Sequence, residues 1–355
     1  MHTILNAMAG YLKDLFRQFV SGWNAFWFTP VDPLTLGCVR IATGVCLLYL
    51  YFGCLPGVLS YVGPQAWVDQ QALQELREAR SADPGIRYGW SAWLLADSPF
   101  KSQVLYYYFL AAIVCFTLGL YSRLANVLVW VGHLSFVHRS LITWYGADVV
   151  LSVLLFYMLW APTGAAVSLD ALWRNRSSPK GAANRTVPSW TANLSLRAIQ
   201  VHMCIIYLCS GLAKLQGETW WDGSAIWYCL MIHELGPLDL QFLTLLDDRS
   251  LQVISTAGCF LTVAFEVSFV YLIWNPRLRP LLLALAVVLH GLIGGLMGLG
   301  AFSCVMLTGC LAFVAPTTLR WIGRHLLRKA AASKTPTFRL QGQASREVLA
   351  SRPES

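Results

Sequence analysis

The sequence predicts an all-α, polytopic integral membrane bundle of about eight transmembrane helices with both termini inside. Three observations predict it. Of its 355 residues 56% are hydrophobic and only 12% charged, with a mean hydropathy of +0.54, roughly half the charge of an ordinary soluble protein. The apolar residues gather in long runs between polar connections, as helices that satisfy their own backbone in lipid require. When the runs are alternated across a bilayer, every arginine-rich connection falls on the inner side and the acid-rich one on the outer side. That asymmetry records orientation, so the net charge of +8 is not a nucleic-acid signal and no nucleic-acid partner is expected.

Residues Leu5 to Trp27 read as an amphipathic interfacial helix, with Trp23, Trp27 and Phe28 at headgroup level. No small-residue cleavage site follows a compact apolar core, so this stretch does not read as a cleavable signal peptide. The chain divides into this N-terminal helix, residues 1–30, a membrane domain, 31–316, and a basic tail, 317–355. Asp32 and Pro33 open the first span, Leu34 to Tyr51, in cap and first-turn positions. An excursion rich in Pro, Gly and Trp then runs from Cys54 to Lys101, with one short amphipathic helix from Asp69 to Arg80. It is expected to cap the membrane face.

The next spans are Gln103 to Leu120, Leu124 to Val137 and Val149 to Trp160, the last two short enough to need flanking Tyr, Trp and His residues. The connector from Ser168 to Thr191, with Arg174, Arg176, Lys180 and Arg185, reads as a loop by composition. The fifth span is Ala198 to Leu215. A second excursion reaches Arg249 and carries Glu218, Asp222, Glu234, Asp239, Asp247 and Asp248. Leu251 to Ile273 is the sixth span, and Asn275, Arg277 and Arg279 make a tight basic turn into the seventh, Leu281 to Ile293. Gly294, Gly295, Gly298 and Gly300 permit an abrupt reversal into an eighth that ends near Val314. Arg320, Arg324, Arg328 and Lys329 open the tail, expected to be disordered beyond Ala332. No internal repeat of the transporter kind is evident.

Polar groups at membrane depth are costly unless used, so they are the functional candidates. Lys214 at the outer end of the fifth span, His138 at that of the third and His290 in the outer part of the seventh converge on one depth. An amine in an apolar, partly closed pocket can act as a base near neutral pH, and a neutral histidine can carry its proton away. The bland reading of Lys214 is a lysine snorkelling beside Trp220 and Trp221. Met203, Tyr207, Ser210 and Lys214 share one stripe of the fifth helix, a wall suited to a flat hydrophobic ligand such as a quinone. His202 points away from it. At the inner depth Arg40 and Glu266 are expected to form a buried ion pair. Asp148 is placed to orient His138 or to cap the fourth helix. The ten cysteines show no metal spacing, and no metal is expected; Cys54 and Cys229, both on the outer side, are the one candidate pair. The sequons at Asn175, Asn184 and Asn193 fall inside and read as chance.

The runs IYLCSGLAKLQGETWWDG, VVLHGLIGGLMGLGAFSCVML and WNAFWFTPVDPLTLGCVRI resemble the transmembrane domain of vitamin K-dependent gamma-glutamyl carboxylase and its bacterial relatives, the HTTM (horizontally transferred transmembrane domain) family. The resemblance covers roughly residues 22 to 316. It implies that Lys214, in the G-x-x-K-L motif from Gly211 to Leu215, is the base that deprotonates reduced vitamin K or menaquinol. It implies that His290, in a stretch closed by Gly300, Phe302 and Ser303, lines the site, with His138 as the assisting histidine ahead of Tyr145 and Gly146. Tyr207, Ser210, Trp220 and Phe302 are then expected to hold the quinol. O2 and CO2 would be co-substrates, and a peptide or small carboxylate the acceptor.

The expected function is therefore a membrane quinol-dependent oxygenase or epoxidase with carboxylation of a glutamate-like carbon acid. Its site would face the periplasm from a bacterial inner membrane, in contact with membrane lipids. The alternatives are a non-enzymatic quinone- or lipid-binding membrane protein, and a small-solute or proton transporter using Arg40, Glu266 and Lys214.

Overall fold

The computed structural model describes residues 2–81, 90–177, 186–231 and 245–333. Lys180, Asn184, Arg185, Glu234, Asp239 and the tail beyond Ser333 lie outside the described residues. The protein is an all-α, multi-spanning membrane bundle. Helix α1 (His2–Phe28) leads into α2 (Leu34–Gly53), and the first excursion carries α3 (Val58–Val62) and α4 (Gln70–Ser81). Then follow α5 (Pro99–Leu118), α6 (Ser122–Arg139), α7 (Gly146–Met158), α8 (Leu169–Arg176) and α9 (Trp190–Leu215). The short α10 (Glu218–Trp221) and α11 (Ala225–Leu230) precede α12 (Asp248–Leu272), α13 (Arg279–Leu296) and α14 (Gly300–Cys310). Among the described residues, those from Val314 onward form a separate unit that contains the basic helix α15 (Pro316–Ser333).

Helices stand at every expected span, but they are unequal. Five, α2, α5, α9, α12 and α13, are long and apolar enough to cross a membrane, or six if Gly300–Phe313 and Pro316–Lys329 count together as one span. Helix α6 has the length yet buries Asn126, His133 and Arg139 among its apolar residues. Helix α7 has only 13 residues, or about 20 Å at 1.5 Å per residue, against a hydrocarbon core of ~30 Å.

Three boundaries differ from expectation because capping outranks composition. The 168–191 connector is not a loop throughout. Ser168 Oγ accepts from Ala171 N at 2.9 Å, and Asp170 in the first turn with Arg174 and Arg176 in the last complements the dipole of α8. Ser189 caps α9 through Ala192 N, so that helix begins at Trp190 and not at Ala198. Asp247 caps α12 through Ser250 N, which starts it at Asp248. Asp148 Oδ2 accepts from Tyr145 N at 3.0 Å, the capping role foreseen for it.

The expected Arg40–Glu266 ion pair does not exist. Arg40 is fully buried and donates to Thr163 O at 2.7 Å and Val167 O at 2.6 Å, carbonyls of the turn between α7 and α8. A guanidinium fork suits that task, because the carbonyls of an irregular turn lack helical partners and point several ways. Cys54 and Cys229 do not pair either; both are free thiols. Asn193, within a sequon, is buried and donates to Phe26 O at 2.9 Å.

The same turn is locked by Asp170, which accepts from Ser122 Oγ at 2.6 Å, Ser122 N at 2.8 Å and Tyr121 N at 2.9 Å. Burial pushes its carboxyl up, but these hydrogen bonds and nearby Arg174 outweigh that and hold it below the usual carboxylate range. A depressed carboxyl stabilises the fold above its unfolded value, about 3.9, and loses that contribution as pH falls through its lower folded value. Asp170→Asn should therefore cost ~1–3 kcal/mol at pH 7. Thermal unfolding in mild detergent should show a gap between variant and wild type that is constant from pH 7 to 5 and closes in stronger acid.

The first excursion is tied onto α6. Arg139 donates to Val68 O at 2.7 Å and to Gly63 O, and Ser91 Oγ donates to Ser135 O at 2.7 Å. These bonds rigidify the end of the bundle where α6 turns into α7.

Candidate functional site

Helices α9 and α12 pack against each other at contact distance because Gly211 carries no side chain. A Cβ there would lie 2.8 Å from Val267 Cγ2 and 3.3 Å from Val267 N. Gly211→Ala should push the helices apart at a cost of ~1–3 kcal/mol. Gly291→Ala, where nothing lies within 4 Å, should leave the thermal midpoint almost unchanged and serves as the control.

One turn beyond Gly211, the approach places Lys214 against Glu266. Lys214 Nζ lies 2.8 Å from Glu266 Oε2 and 3.0 Å from Oε1. Nζ also donates to Ser210 Oγ at 2.6 Å, and Ser210 Oγ donates in turn to Glu266 Oε1 at 3.1 Å. Two residues of one helical turn of α9 thus close a three-membered network on one carboxylate. The side chains are 21% exposed for Lys214 and 9% for Glu266. Such an ion pair is far from the screened surface kind, and its strength depends on its being intact. Trp220 covers the amine, with Nζ 5.2 Å from its ring centroid.

A second polar pair lies on the same stripe, further into the bundle. Tyr207 OH is hydrogen-bonded to His290 Nε2 at 2.8 Å and lies 3.5 Å from Cys310 Sγ. Tyr207 and His290 are 1% and 2% exposed. The Tyr207 ring packs on Phe265 and Phe269, which flank Glu266 on α12, with centroids 5.5 and 4.4 Å away. Phe302 meets the His290 ring edge-on at 6.0 Å. His290 Nδ1 and Ser303 Oγ are buried without a hydrogen-bond partner. The α13–α14 reversal that brings them there turns through Gly298 at φ +72°.

Of the expected site residues, Lys214, Ser210, Tyr207, His290, Trp220 and Phe302 form this one constellation. His138 stands apart from it. Its Nδ1 pairs with Trp90 O at 3.1 Å, so it fastens the first excursion to α6. His202 pairs with Tyr157 OH at 3.2 Å, away from the stripe. Sequence reasoning gives one residue the wrong partner and misses another. Glu266 was assigned to Arg40, since equal depth can be read from a sequence but azimuth around the bundle cannot. His133, fully buried, holds Tyr51 OH at 2.7 Å and Asp148 O at 3.0 Å. The signal available was a histidine among apolar residues of α6, five residues before His138.

A cavity of about 290 Å³ opens between α11 and α12, lined by Asp222, Ser224, Trp227, Asp248, Gln252 and Ser255 among others. Neither Lys214 nor His290 lines it. Among the described residues no three metal-ligating side chains converge.

The model of the HTTM domain family matches residues 28–318 of the chain. The uncharacterized protein YitO of Bacillus subtilis (strain 168) is 26% identical over 240 residues, which are 66% of this chain and 75% of that protein. No solved structure matches significantly.

Proposed function

We propose that this chain, which belongs to the HTTM domain family, is a membrane enzyme that deprotonates a lipid-soluble quinol with Lys214 and oxidises it with O2. The observation that carries the reading is the Lys214–Ser210–Glu266 network beside the Tyr207–His290 pair. Lys214 is anchored by a carboxylate, partly exposed and covered by an indole, so a flat ring can reach it from the lipid side between helices.

When the Lys214–Glu266 pair is one proton short, Lys214 carries a free lone pair. It takes the quinol hydroxyl proton: an O–H bond breaks and an N–H bond forms. The restored ammonium–carboxylate pair is neutral overall and lies against the new quinolate oxygen, where its positive end stabilises the developing charge. Ser210 fixes the amine's direction by accepting from it. Tyr207 and His290 offer a hydroxyl and an imidazole that can pass a proton between them. Overall, quinol and O2 give quinone epoxide and water; four electrons pass to O2, one oxygen ending in the epoxide and one in water. The strongly basic alkoxide formed on the way would remove a proton from a carbon acid, a glutamate-like carboxylate, for attack on CO2. That last step rests on the family resemblance. A periplasm-facing site in a bacterial inner membrane is part of the same reading.

The transport reading loses support, because Arg40 is spent on turn carbonyls and does not extend a charge path through Glu266. The test is incubation of purified protein with reduced vitamin K or menaquinol in air, followed by chromatography. Epoxide formation supports the proposal. Quinol that stays bound and unchanged points to a binding protein, and protein that neither binds nor converts it overturns both readings.

A further inference from the structure

At the end of the bundle where α12 turns into α13, two arginines face the same tryptophan. Arg197 of α9 has its guanidinium carbon 5.7 Å from the Trp274 ring centroid and 4.5 Å from that of Phe26 on α1. Arg279 reaches the backbone of the same residue, donating to Trp274 O at 3.5 Å and to Ile273 O at 3.1 Å. Both guanidinium groups are thus brought to one residue, Arg197 to the ring of Trp274 and Arg279 to its carbonyl. Among the described residues neither forms a salt bridge, and α9 and α13 contain no acidic residue at all. Arg277 adds a third positive charge in the same turn, exposed to solvent.

Folding two unneutralised guanidinium groups beside one another is unfavourable unless something negative completes the site. Among the described residues, Arg197 Nε is buried without a hydrogen-bond partner, while Nη1 donates to Gln200 Oε1 at 2.9 Å. Both arginines are only partly buried, so a ligand can reach them. The N-terminus of α13, which starts at Arg279, adds the positive end of a helix dipole. The rings of Phe26 and Trp274 pack together at 5.5 Å, next to Trp27 and the amphipathic α1. Aromatic residues of this kind settle at headgroup level.

We propose that Arg197 and Arg279 bind a phosphate oxyanion and that an anionic phospholipid headgroup supplies it. Guanidinium groups present paired N–H donors that match phosphate oxygens. The apolar walls of Phe26 and Trp274 accept the first carbons of the lipid. Arg197 lies toward the opposite end of α9 from Lys214, and the site does not depend on the quinol reading.

The test is native mass spectrometry of the full chain exchanged into detergent with phosphatidylglycerol or phosphatidylcholine at equal concentration. Wild type should retain phosphatidylglycerol preferentially. The Arg197→Gln, Arg279→Gln double variant should lose retention by about fivefold per arginine. The Arg324→Gln, Arg328→Gln variant in the separate basic helix should retain it as wild type does. Millimolar inorganic phosphate should not displace the lipid; displacement would overturn the lipid source. Equal retention of the two lipids by wild type, a comparison that needs no variant, overturns the proposal. So does an equal loss in the α15 control.

Discussion

Lys214→Ala should lower quinol oxidation by on the order of 10²–10⁴, the usual contribution of a positioned base, with the helical fold retained. The amine is the only group of the network that can offer a basic lone pair at that point and then remain as a cation beside the quinolate. Removing it leaves Glu266 next to Ser210, and a carboxyl without its cation escapes most of the cost of burial by taking up a proton. The fold should thus survive better than in the reverse deletion. A Lys214→Ala, Glu266→Gln protein removes even that residual charge and separates loss of chemistry from loss of structure. Turnover, measured as epoxide released per protein with circular dichroism alongside, decides the matter. Activity within a few-fold of wild type from either variant would end the assignment of Lys214 as the base.

The second large effect falls on stability. Glu266→Leu should cost ~3–5 kcal/mol, because it leaves the largely buried Lys214 amine and Ser210 without their carboxylate partner. Adding Lys214→Met to a Glu266→Leu background should return most of that loss, since a well-packed apolar pair replaces an intact ion pair at little cost. Turnover should stay absent in the double variant. Unfolding midpoints in mild detergent would show a deep minimum for the single change and recovery for the double. Additive losses would mean that the contact between the two side chains matters little. The same comparison weighs the ion pair as function against structure: restored stability without restored activity assigns it to the chemistry.

The membrane class, the order of the helices and the stripe that carries Lys214 were legible in the chain. Each rests on a one-dimensional quantity: hydropathy over a membrane length, arginine asymmetry between connections, and the helical repeat that lines up Tyr207, Ser210 and Lys214. The HTTM family, expected from the lysine and histidine stretches, is the one whose model matches residues 28–318. Helix caps were also written in the sequence, at Ser168, Ser189 and Asp247, but composition over a window averages them away.

What only the tertiary structure decided is which polar group faces which. Depth along a helix follows from residue number, so Arg40 and Glu266 looked like partners. Rotation about the helix axis and the choice of neighbour depend on close approach, and one glycine, Gly211, sets both by letting α9 touch α12. That contact gives Glu266 to Lys214 and leaves Arg40 to the carbonyls of a turn. His138 and His133 differ for the same reason: they lie about 140° apart around the axis of α6 at 100° per residue, which separates a surface tie from a buried hydrogen-bonding position. Spacing along the chain determines the stripe a side chain lies on, and packing between helices determines what that stripe meets.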